Sequence, residues 1–271
     1  MANPIQSAQN ELIACNIAIL DIDPDKFFSP TPDPSLDHID PAILNSPPGH
    51  RSPGLSKTAR RFLTRLGLAT EAHREGSITL FTLWTLDLLD FEERDSILVR
   101  YAIPFNICGE VDRTVRPDLC LLCQPALIHQ PAFVLLVIIQ ERVSDNTADA
   151  EARIVAASIA TFQSNNTQRV ECGLDPLNAM TIPCLKMSGT RPTFYLVPVT
   201  AQLDEAVVTG QRPGHVTRVL RCVTAATDVP ALVGMENVEY RRLALKHFLA
   251  FRHVAKSHWE RVLEGIQVSL S

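Results

Sequence analysis

A mixed α/β sheet with helices packed against it is the fold class this sequence predicts, and three observations predict it. Hydrophobic spacing switches between helical and alternating along the chain, giving the order helix, strands, helix, strands, helix. The run Phe133–Ile139 is apolar on both faces, as a strand in the middle of a sheet must be. Hydrophobic residues make up 46% of 271, enough to bury the core of one domain of about 200 residues with an appendage.

The appendage is residues 1–56. It holds nine of the nineteen prolines, and proline at that density withholds the backbone donors that helices and sheets need. It reads as an extended or disordered arm, with a short helix near Asn10–Leu20. The domain follows over residues 57–271. Ser56 caps a helix to about Leu68, with Ala59, Phe62, Leu63 and Leu66 at helical spacing. Ile78–Leu89 is a second helix or part of the same helical layer. Ile97–Ile103, Asn106–Val111, Pro117–Cys123 and Phe133–Glu141 read as strands. Thr147 caps a helix to about Gln163, with Ala152, Val155, Ile159 and Phe162 on one face. Thr181–Met187, Thr193–Val199 and Arg218–Val223 are strands, and Asn237–Gly265 is a long helix.

Charge argues against a dedicated polyanion binder. The formal net charge is -5, and residues 1–56 carry all of it, with seven acids against two bases. The remainder has 23 of each and is neutral, so any DNA or RNA site must be a local patch. Seven cysteines without regular spacing suggest free, buried thiols in a reducing compartment. The start has no basic segment followed by a long apolar one, and no apolar run is long enough to span a bilayer. The expectation is a soluble intracellular protein, nuclear or cytoplasmic, with no membrane partner.

Chemistry concentrates at two strand ends. Asp118 opens one strand and Glu141 closes the next. A hairpin centred between residues 129 and 130 would set the two carboxylates directly opposite, about 5 Å apart at Cβ. Two carboxylates so close call for a cation between them. Oxygen ligands on a rigid sheet suit magnesium or manganese, which activate water and offset charge on a phosphate. On spacing alone, however, Asp before a strand is an ordinary turn residue and Glu after one an ordinary solvated exit.

Pro117-Asp118 followed by Phe133-Val-Leu-Leu-Val-Ile-Ile-Gln140-Glu141 resembles the PD-(D/E)XK nuclease superfamily. More closely, the chain resembles a group of such domains in mushroom-forming fungi. There the apolar strand runs into Gln-Glu-Asp-Lys, a helix ends in Ala-x-Phe-Gln-x-Asn-Asn, and a later strand carries Pro-Thr-Phe-Tyr and Pro-Val-Thr. This chain has Gln140-Glu141-Arg142-Val143, Ala160-Thr161-Phe162-Gln163-Ser164-Asn165-Asn166 and Pro192-Thr193-Phe194-Tyr195-Leu196-Val197-Pro198-Val199-Thr200. The resemblance implies a restriction-endonuclease-like core of helix, three antiparallel strands, helix and strand. It implies metal-dependent phosphodiester hydrolysis, with Asp118 and Glu141 as metal ligands. The motif lysine, which orients the attacking water, should stand at Val143 and does not. Arg142 points away from Glu141 on a strand and cannot act as a base. Gln163 on the following helix is the substitute this reading assigns to catalysis. Lys186 is another candidate, although lysine on a strand is ordinarily solvated. A non-catalytic nucleic-acid-binding or protein-interaction module on the same fold is the alternative.

Other patterns carry less. Cys120-x-x-Cys123 is a single pair whose members point to opposite faces of a strand, so it is structural. His253 and His258 are five apart on the last helix and do not share a face. Phosphate-loop, dinucleotide-binding and nucleophile-elbow motifs are absent from the sequence.

Overall fold

The computed structural model describes residues 12–30, 33–72, 75–92, 96–124, 132–141, 147–226, 229–230 and 232–266. Arg142 and Val143 lie outside the described residues. The fold is α/β, with a mixed sheet flanked by helices.

The chain enters through β1 (Ile17–Asp21), two short helices α1 (Pro24–Phe27) and α2 (Pro41–Asn45), and the pair α3 (Lys57–Ala72) and α4 (Glu75–Leu88). Next come β2 (Ser96–Val99), an outlying hairpin of β3 (Ile103–Ile107) and β4 (Glu110–Val115), then β5 (Leu119–Cys123) and β6 (Phe133–Gln140). Helix α5 (Thr147–Glu171) leads to β7 (Ala179–Ser188), β8 (Arg191–Thr200), α6 (Ala201–Thr209), β9 (Thr217–Val223) and α7 (Val238–Leu263). The main sheet runs β1-β9-β8-β7-β6-β5-β2. Strands β2, β5 and β6 are mutually antiparallel, and β7 lies parallel to β6 after the α5 crossover.

Every residue of β5 and β6 is buried, which is why both read as unbroken apolar runs. One face of the sheet packs on α5, where the Ser158 hydroxyl meets the Cys184 thiol at 3.2 Å. Burial pushes that thiol up to about 12, so it stays protonated and inert. The other face packs on α7 and α4. Phe194 lies 5.3 Å from Phe248 and 4.8 Å from Phe251, ring to ring. Among the described residues no helix is long and apolar enough to cross a membrane.

The extended arm expected over residues 1–56 is not what its described part forms. Strand β1 pairs in parallel with β9, and Phe27, Phe28, Ile39 and Ile43 enter the core. Arg241 of α7, fully buried, donates to the carbonyls of Ile43 (2.7 Å) and Ser46 (2.8 Å). Proline density misleads here because two of the prolines fit helix starts. Pro24 and Pro41 each open a helix, where a missing N–H costs nothing. Helix α5 also outruns its expected end near Gln163 by two turns, since the apolar stripe fades while the helix continues.

Candidate functional site

The hairpin of β5 and β6 forms as expected, but its register is two residues out. Leu119 pairs with Ile138, which brings Asp118 beside Ile139 rather than Glu141. An extra residue in β6, Leu135, opposite the Leu121–Leu122 step takes up one residue of the offset, which is larger still nearer the loop. The slip is even, and both acids reach the first two turns of α5. Glu141 accepts from the Thr147 hydroxyl (3.3 Å) and Asp118 from Arg153 (3.0 Å). They therefore face the same side of the sheet.

Each acid has its own cation. Asp118, 7% exposed, takes two donors on Oδ2: the backbone N–H of Gln140 at 2.7 Å and Arg153 at 3.0 Å. Arg153 also donates to the Gln140 carbonyl at 3.0 Å, so it ties the ends of β5 and β6 together. Glu141 meets Lys186 of β7, whose ammonium lies 3.3 Å from Oε1, and the Ser188 hydroxyl donates to Oε2. Parallel pairing of Ile139 with Lys186 carries that lysine to the same face as Glu141. The expectation of a solvated Lys186 fails: the residue is only 5% exposed. An ammonium is seldom buried unless paired, and Glu141 is its pair.

The polar row continues where the sequence offered no signal. Tyr195 of β8 donates to Glu151 of α5 at 3.1 Å, and Arg221 of β9 reaches the same oxygen at 2.5 Å. Arg221 also clamps Asp21 of β1 at 2.6 and 2.7 Å. Burial and then the Glu151 charge push the Tyr195 phenol well above its ordinary range, so it remains a neutral donor. The hydrogen bond from Arg221 holds the Asp21 carboxyl below its usual range. Glu141, Thr147, Lys186, Ser188, Tyr195 and Arg221 line one open cleft of about 660 Å³.

Gln163 is not part of this site. Its amide bonds both backbone groups of Asn106, at 2.8 and 3.0 Å, and reaches Asp204 at 2.6 Å. It lies ten residues beyond Arg153 on α5, about 15 Å along the axis. Burial raises the Asp204 carboxyl, against the lowering effect of that hydrogen bond. Asn165 and Asn166 behave alike. Asn165 takes both backbone groups of Val134 (2.9 Å each), and Asn166 those of Leu177 (2.8 and 3.0 Å). Three amides from one turn of helix thus act as strand edges for three separate segments. The Gln-x-Asn-Asn pattern is structural, and the catalytic role given to Gln163 is withdrawn.

Asp118 and Glu141 are hard oxygen donors on a rigid sheet. Magnesium commonly takes one or two protein carboxylates and completes its shell with water and phosphate oxygens, so the pair fits such an ion in donor type and number. Among the described residues no group of three or more His, Cys, Asp or Glu side chains converges. Comparison with protein-family models and with curated protein sequences finds no match.

Proposed function

We propose that the chain is a nuclease-like domain of the PD-(D/E)XK type, acting on the phosphodiester backbone of DNA or RNA, with Lys186 in place of the lysine its motif lacks. One observation carries the reading: Lys186, nearly buried, is 3.3 Å from Glu141 on the strand next to it. The order α4, then β2, β5 and β6 antiparallel, then α5, then β7 parallel to β6 supports it as well, being the order the resemblance implies. Asp118 and Glu141 would hold magnesium or manganese, which when bound supplies water activation and offsets phosphate charge. Lys186 orients the attacking water and adds positive charge where charge develops, worth about 3 kcal/mol, or roughly a hundredfold in rate. Ser188 and Thr147 fix the Glu141 carboxylate, and the Tyr195 hydroxyl and Arg221 line the cleft beyond it.

A second reading is a non-catalytic binding module on the same fold. The Asp118–Arg153 pair favours it, because an acid already neutralised has less need of a metal. The deciding experiment incubates wild type, Lys186→Met and Asp118→Asn with labelled single-stranded DNA, duplex DNA and RNA in manganese or magnesium. The first reading expects metal-dependent cleavage that falls about a hundredfold in Lys186→Met and vanishes in Asp118→Asn. Cleavage undiminished in Lys186→Met sinks the role of the lysine. No cleavage by wild type, with nucleic-acid binding intact, leaves the binding module.

A further inference from the structure

We propose that Arg153 is a built-in competitor for the cation site at Asp118, neutralising the acid until a divalent ion displaces the guanidinium. The inference rests on the reading of Asp118 and Glu141 as metal ligands. Three features of the geometry lead to it. Arg153 and a metal would need the same carboxylate, since the guanidinium is 3.0 Å from Asp118 Oδ2. A divalent ion on that carboxylate and a guanidinium in hydrogen-bond contact with it repel each other strongly. The acid is also held in place without the arginine, because the backbone N–H of Gln140 donates to the same oxygen at 2.7 Å. Displacing Arg153 therefore leaves Asp118 aimed as before.

The two cations of the site differ in the way this exchange requires. The Lys186 side chain is 6% exposed, whereas that of Arg153 is 28% exposed and has solvent to move into. Arg153 also sits on a helix rather than on a sheet strand, so swinging out gives up its bonds to Asp118 and to the Gln140 carbonyl but no backbone pair between strands. A phosphate arriving with the metal would offer the displaced guanidinium a new partner, since arginine binds phosphate in the same forked geometry as carboxylate.

Manganese titration by calorimetry tests this on the full chain, with circular dichroism as the check of folding. Arg153→Met is expected to bind manganese at least roughly tenfold more tightly than wild type. Arg153→Lys keeps the charge, and so the folding, but loses the fork; it is expected to fall between the two. Asp118→Asn should abolish binding in every background. Equal affinity across wild type and both Arg153 variants, lost in Asp118→Asn, overturns the competition while the metal site stands. Weaker binding in the Arg153 variants also overturns it, and makes Arg153 a positioning residue for Asp118. Absence of binding in wild type and both Arg153 variants removes the metal reading itself, and the inference with it.

Discussion

On β5, β6 and β7 every carboxylate of the polar row has a cation of its own, Arg153 for Asp118 and Lys186 for Glu141. Over β8, β9 and β1 a single guanidinium, Arg221, serves two carboxylates, Glu151 of α5 and Asp21 of β1. The first half is balanced and mostly buried, and its partners sit on adjoining elements. The second half is one charge short and ends in Asp21, whose side chain is 67% exposed. The first half therefore gains its energy from avoiding unpaired buried charge. The second gains its energy from tying the N-terminal strand to the sheet. Only the first half presents acids and a lysine in an arrangement that suits phosphate chemistry.

Glu141→Ala tests the buried half most severely. It leaves Lys186 at 6% exposure without its carboxylate, and the loss should be about 3–5 kcal/mol by urea melting. Lys186→Met should cost less, about 1–2 kcal/mol, because Glu141 retains hydroxyl donors from Thr147 and Ser188. If the two variants lose the same amount, Lys186 is better hydrated than its burial indicates, and the contrast between the halves weakens. In the second half, Glu151→Gln should cost about 1–2 kcal/mol. Arg221 keeps Asp21, and the Tyr195 hydroxyl can still donate to an amide oxygen. A cost as large as that of Glu141→Ala would mean that both halves work alike.

What the sequence disclosed follows from how far apart the partners lie along the chain. The helix start at Ser56 was legible because capping is local, and its hydroxyl accepts from the Ala59 backbone N–H at 3.1 Å. Thr147, expected to cap α5, is its first helical residue and donates to Glu141 instead. The β5–β6 hairpin was legible from two apolar runs and a loop, and it led to Asp118 and Glu141. Its register was not, since the extra residue in β6, Leu135, leaves no mark in an all-apolar run. Lys186 was legible only as a candidate, because its burial depends on a parallel pairing across the whole of α5. The Asp21–Arg221 pair spans 200 residues and had no sequence signal at all. Gln163 was misread because an amide that bonds backbone and one that assists catalysis look identical in sequence. Gln163→Ala should accordingly lower stability by about 1 kcal/mol and leave manganese affinity unchanged. A loss of metal binding with the fold intact would return Gln163 to the site.

The smallest expected effect is the one most diagnostic of the exposed end of the row. Asp21 has a folded-state pKa held below its ordinary value by the Arg221 hydrogen bond. A depressed carboxylate stabilises the fold above its unfolded pKa, near 4, and that contribution disappears as pH falls through the folded value. Wild type should thus lose stability as pH falls below about 5 more steeply than Asp21→Asn, which has no charge to lose there. Because the group is two-thirds exposed, solvent screening keeps the difference below about 1 kcal/mol, and added salt should shrink it further. A difference of several kcal/mol would mean that β1 is anchored mainly by this ion pair. The parallel ladder with β9 and the burial of Phe27, Phe28 and Ile43 would then hold it less firmly than their geometry implies.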